Sequence, residues 1–141
     1  MKSRPFLWSK FVWNMFDFAV DARNEGDTPG RNDKGMVSYD RRTKKDSFFW
    51  YKANWTTAPM VYITSRRFTQ RTSRSTPIKV YANCDSVELR VNGVSKGVHN
   101  ATGNRIFSWS GIALVSGTNT IEVVGTKSGV TCLDSVTWTA N

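Results

Sequence analysis

The segment VELRVN, residues 87–92, alternates apolar and polar side chains, and this pattern constrains the chain more than any other feature. Successive Cβ atoms of a strand point to opposite faces, so Val87, Leu89 and Val91 share one side while Glu88 and Arg90 share the other. Related runs recur at short spacing after Trp55: MVYIT (60–64), IKVYAN (78–83), RIFSWS (105–110), TIEVVGT (120–126) and SVTWTA (135–140). In TIEVVGT, Ile121 and Val123 fall on one face. Asn92-Gly93 suits a tight hairpin, and SGTN (116–119) predicts a second. Short strands at this spacing fit an antiparallel sandwich of immunoglobulin type. Trp109 lies too far from Cys84 for the Cys–Trp–Cys spacing of antibody domains. Residues 57–141 are therefore expected to form an immunoglobulin-like antiparallel β-sandwich, which makes the chain mainly β.

Residues 1–56 read differently. FVWNMFDFAV (11–20) is apolar on both faces, as a strand covered on both sides would be. TKKDSFFWYKANW (43–55) predicts a short helix, with Asp46 as its cap and Phe49 one turn from Lys52 and Ala53. Between them runs a polar loop in which Pro29 and Gly30 of EGDTPG (25–30) set the path. Strand, loop and helix make one βα unit, and a single βα unit has no partner strands of its own. Left uncovered, the aromatic run forgoes on the order of 10 kcal/mol of burial, at ~1.5–3 kcal/mol per large side chain. The segment is therefore expected to fold back, to self-associate through residues 11–18, or to stay disordered.

Composition excludes several classes. A mean hydropathy of −0.44 and 39% hydrophobic residues describe a water-soluble globular chain. No apolar run approaches the roughly 20 residues that span a bilayer, so no membrane partner is expected. MKSRPFLWSKFVW opens like a signal peptide, but Lys10 interrupts the apolar stretch and no small-residue cleavage site follows. The compartment stays open between bacterial cytoplasm and periplasm. The net charge of +9 is spread along the chain. Its densest cluster, SRRFTQRTSR (65–74), reads as a solvated edge or linker, so no nucleic-acid partner is expected. Cys84, Cys132 and a lone His99 in the turn-like KGVHN do not make a metal site, and no cofactor is expected. The cysteines read as buried thiols, with a disulfide as the alternative.

FVWNMFDFA, RNEGDTPGRNDKGMVSYDRRTKKDSFFWYKANW and PMVYITSRRF together resemble the C-terminal part of glycoside hydrolase family 2, in particular bacterial β-galactosidases. The resemblance implies that residues 1–56 are the last βα unit of an incomplete TIM barrel, followed by the immunoglobulin-like domain. It implies a parent enzyme that hydrolyses terminal β-D-galactosides with retention through two glutamates, both absent here. A retaining pair must stand about 5 Å apart. Glu88 and Glu122 fall in sandwich strands, and Glu25 with Asp21 or Asp27 makes no anchored pair. No catalytic residue is assigned, and the chain alone is expected to be inactive. The resemblance places Trp13 in the sugar pocket of an intact barrel, where an indole face packs on a pyranose ring. Asn32 and Lys34 match an Asn-x-Lys pair that holds the sugar carboxylate in related β-glucuronidases. A β-glucuronidase or galacturonidase fragment is therefore a minor alternative. The other alternative is a non-catalytic carbohydrate-binding or scaffold module using Trp109 or Trp138. Asp17 is expected to brace backbone.

Overall fold

The computed structural model describes residues 4, 6, 8–25 and 28–141, which divide into two compact units at Phe48/Phe49. In the first unit, strand β1 (Phe18–Glu25) pairs antiparallel with β2 (Thr28–Asn32), Phe18 lying opposite Asn32 and Glu25 opposite Thr28. Strand pairing thus begins seven residues later than the apolar run predicts, and it extends into the segment expected to be loop. The reason is backbone accounting. Residues 14–17 instead lie beside residues 36 and 37, where Met36 and Val37 donate to the carbonyls of Asn14 and Met15, and Asp17 donates to Val37 O. Lys45 in turn donates to Met36 O at 2.8 Å. Residues 36 and 37 therefore lie between two neighbouring backbones.

Helix α1 (Asp46–Trp55) begins where the sequence predicts, with Asp46 as its first helical residue rather than its cap. A carboxylate in the first turn still complements the helix dipole. In the second unit, Ala53 packs with Met60 and Tyr62, and Phe49 stacks on Tyr62 with ring centroids 3.6 Å apart.

The remainder is the expected β-sandwich. One sheet has the order β4 (Gln70–Arg71), β10 (Val130–Ala140), β9 (Gly117–Lys127), β6 (Ser86–Val91), β7 (Val94–Asn100). The other has β3 (Val61–Ile63), β5 (Ser75–Ala82), β8 (Ile106–Ala113). All pairings are antiparallel except β4 with β10. The alternation read from VELRVN holds: Val87, Leu89 and Val91 are buried, while Glu88 and Arg90 pair on the outside at 2.9 Å. Ile63, Ile78, Val80, Phe107 and Trp109 meet them from the smaller sheet, with Ile121, Val123 and Trp138 from the larger.

Three details differ from the sequence reading. Asn92 and Gly93 adopt φ of 51° and 79° and form the expected tight hairpin, but SGTN does not form one. It carries the chain from β8 in one sheet to β9 in the other. The second tight hairpin lies at Ser128 and Gly129, with φ of 49° and 82°. Finally, KGVHN belongs to edge strand β7, whose residues are all exposed and so carry no inward pattern. His99 there stacks on Trp109 with centroids 4.4 Å apart.

Candidate functional site

The residues singled out from the sequence gather in the first unit around the β1–β2 ribbon. Asp17 lies at the base, 3% exposed. Its Oδ1 accepts from Gly35 N at 2.9 Å and from Lys45 Nζ at 2.7 Å. Its carbonyl accepts from Arg41 NH1 at 3.0 Å, and that guanidinium lies 4.1 Å from the Phe16 ring centroid. Asp17 thus braces backbone, as its position in the sequence suggests. Gly35 has a purely steric role. A Cβ there would stand 2.1 Å from Asp17 N and 2.2 Å from Phe16 C, so no side chain fits.

The turn before Gly35 carries Asn32 and Lys34. Asn32 is 3% exposed, and its Oδ1 accepts from Lys34 N at 2.9 Å, which fixes the turn. The Lys34 ammonium is more than half exposed and donates to Glu25 Oε1. Glu25 also accepts from Arg23 NH1 at 2.6 Å and from Asp33 N at 3.2 Å. These bonds, with Lys34 first and Arg23 second, hold the Glu25 carboxyl at a pKa of about 2, below its ordinary 4.5. A glycosidase acid needs the opposite shift, so Glu25 is a permanent anion that orders cations. Asp21 is exposed, and Asp27 lies outside the described residues. Among the described residues no cluster of three or more His, Cys, Asp or Glu could hold a metal ion.

Trp13 is 74% exposed, and its ring meets Phe18 edge to face with centroids 5.9 Å apart. Phe18 in turn stands opposite Asn32 across the ribbon. Trp8 and Phe11 are also exposed, at 94% and 93%. The sequence pointed to Trp13, Asn32 and Lys34 but missed Arg23, Lys45 and Gly35. Lys45 joins Asp17 across 28 positions of sequence, and no local pattern marks such a pair.

The second unit offers less. Trp109 and Trp138 are 4% and 1% exposed, so both indoles are core and neither is the sugar platform that a carbohydrate-binding module would need. In the Arg cluster, Arg66 pairs with Asp134 at 2.6 Å, Arg71 lies 3.5 Å from the Trp138 ring centroid, and Arg74 donates to Asn141 O. These guanidiniums tie down the edge of the sandwich. Among the described residues no helix is long and apolar enough to cross a membrane.

Comparison with known proteins bears on both units. The curated β-glucuronidase of Bacteroides fragilis is 45% identical over 121 residues, covering 85% of this chain and 17% of that protein. The homologues of this chain are β-glucuronidase- and β-galactosidase-like glycoside hydrolases. The crystal structure of an FMN-binding β-glucuronidase from Facaelibacterium prausnitzii L2-6 superposes with a TM-score of 0.87 at 44% identity, covering 99% of this chain and 21% of that one. A candidate β-galactosidase from Bacteroides fragilis follows with a TM-score of 0.84 at 38% identity, covering 92% and 19%. A family model described as a domain of unknown function, DUF4982, matches residues 73–132. The chain spans about a sixth of the curated β-glucuronidase it matches. Of these relatives two are called β-glucuronidases and one a β-galactosidase, the activity that the resemblance put first.

Proposed function

We propose that this chain is the C-terminal portion of a family 2 glycoside hydrolase that cleaves β-glucuronides. In this reading Lys34 and Asn32 grip the carboxylate of the sugar, and Trp13 faces the pyranose. Galactose carries a neutral hydroxymethyl group where a uronic acid carries a carboxylate, so an ammonium and an amide at that point favour the acid. The Asn32 Oδ1 is engaged by the turn, which leaves the donor end of its amide to address a carboxylate. The observation that carries the reading is the Lys34 ammonium, exposed beside Asn32 and already bound to a carboxylate, that of Glu25.

Bond cleavage belongs to two carboxylates outside this chain. One protonates the leaving oxygen, and the other forms and then releases the glycosyl intermediate. This chain supplies recognition and one piece of wall. The exposed Phe11 and Trp13 are then surfaces for the rest of a barrel to cover, and a second copy covers them when the chain is isolated.

The test replaces the matching segment of the Bacteroides fragilis β-glucuronidase with this chain. The chimaera should favour an aryl β-glucuronide over the aryl β-galactoside by at least about 100-fold in kcat/KM. The isolated chain should turn over neither substrate. A chimaera that prefers the galactoside would refute the proposal.

A further inference from the structure

The second unit holds two thiols that the proposed chemistry does not use. Cys84, 1% exposed, lies just before β6, and Cys132 is a half-buried residue of β10. Their Sγ atoms stand 3.4 Å apart. They meet over Gly125 of β9, the strand between β6 and β10, with Cys132 directly opposite it. A Cβ on Gly125 would lie 2.6 Å from Cys84 Sγ, 3.2 Å from Cys132 Sγ and 2.4 Å from Val61 Cγ1. The glycine therefore leaves room for two sulfurs, and closing to a bond of about 2.05 Å requires only a small side-chain movement.

We propose that Cys84 and Cys132 are an oxidisable dithiol, a modification site at which a low-molecular-weight disulfide converts the pair into an internal disulfide joining β10 to the start of β6. The order of events follows from access. Burial, and then the hydrogen bond to Cys132, pushes the Cys84 thiol up to about 12, so it is protonated at neutral pH. Cys132, the more exposed of the two residues, reacts first. It gives its proton to solvent and attacks one sulfur of the reagent RSSR, the S–S bond breaks, and RS⁻ leaves and is protonated. The product is a mixed disulfide on Cys132. Cys84 then gives its proton to solvent and attacks Cys132 Sγ, expelling the second RS⁻, which is protonated in turn. Two protein thiols and one RSSR become one protein disulfide and two RSH.

The bond closes a long loop, since the two residues are 48 positions apart. It should raise Tm by on the order of 10 °C. The test exposes the full chain to oxidised glutathione and follows intact mass and alkylatable thiols. Both thiols should vanish together, the mass should fall by two hydrogens, and dithiothreitol should reverse the change. Cys84→Ser should instead trap glutathione on Cys132, whereas Cys132→Ser should leave Cys84 unmodified in the folded chain. A lasting glutathione adduct on wild-type Cys132, covalent dimers, or two unreacted thiols would each overturn the proposal. The wild-type measurement decides even where a serine variant fails to fold.

Discussion

Asn119→Ala should cost about 3 kcal/mol of stability. Asn119 is fully buried at the start of β9 and joins three stretches of chain. Its Oδ1 accepts from Val115 N at 2.9 Å and from Asn92 Nδ2 at 3.0 Å. Its Nδ2 donates to Val115 O at 2.9 Å and to Gly117 O at 3.0 Å. It thus fixes the crossing from β8 to β9 and ties that crossing to the β6–β7 hairpin, whose Asn92 also accepts from Thr120 N. A hydrogen bond contributes ~0.5–1.5 kcal/mol net, and a partner left dry costs ~1–3 kcal/mol. Four such bonds sum to ~2–6 kcal/mol. Val115 and Asn92 are exposed, so water can reach the three partner groups they carry, which sets the loss toward the lower half, at about 3 kcal/mol. For a unit of this size such a loss lowers Tm by roughly 10–25 °C. The assay is urea unfolding followed by fluorescence of the buried Trp109 and Trp138, with exposed Thr118→Ala as control. A loss below about 1 kcal/mol, or one equal to the control, would refute the reasoning.

Two further predictions concern the first unit. The folded-state pKa of Glu25 is depressed, so its link to Lys34 is present above the ordinary 4.5 and is lost only as pH falls through about 2. A carboxyl ¹³C titration should show that low midpoint, returning toward 4.5 in Lys34→Ala; a wild-type midpoint at 4.5 would contradict it. Gly35→Ala forces a Cβ onto the backbone of Phe16 and Asp17, so the Asp17 and Val37 amides should lose protection from hydrogen exchange. Unchanged protection would show that the turn has room the structure denies it.

The sandwich was legible because its physics is local. Val87, Leu89 and Val91 alternate as a half-buried strand must, and Asn92-Gly93 supplies the left-handed pair a tight hairpin needs. Edge strand β7 escaped because no residue in it is buried, leaving no period to read. SGTN has hairpin chemistry, but whether a turn joins neighbours in one sheet or crosses between sheets depends on distant pairing. Phe11 to Val20 reads as one strand, yet ladder pairing starts only at Phe18, because residues 14–17 lie beside residues 36 and 37. For the site, Trp13, Asn32 and Lys34 are candidates that only the family resemblance names. Asp17 was legible as a brace, but its partners Gly35 and Lys45 lie 18 and 28 positions away, which spacing does not reveal.

The most direct test of the recognition role is Lys34→Ala in the chimaeric enzyme, assayed on matched aryl β-glucuronide and β-galactoside substrates. Losing one charge-assisted contact to the sugar carboxylate should cut kcat/KM for the glucuronide by about 10–100-fold. The galactoside, with no carboxylate to lose, should change by less than about threefold. Equal losses on both substrates would contradict the account.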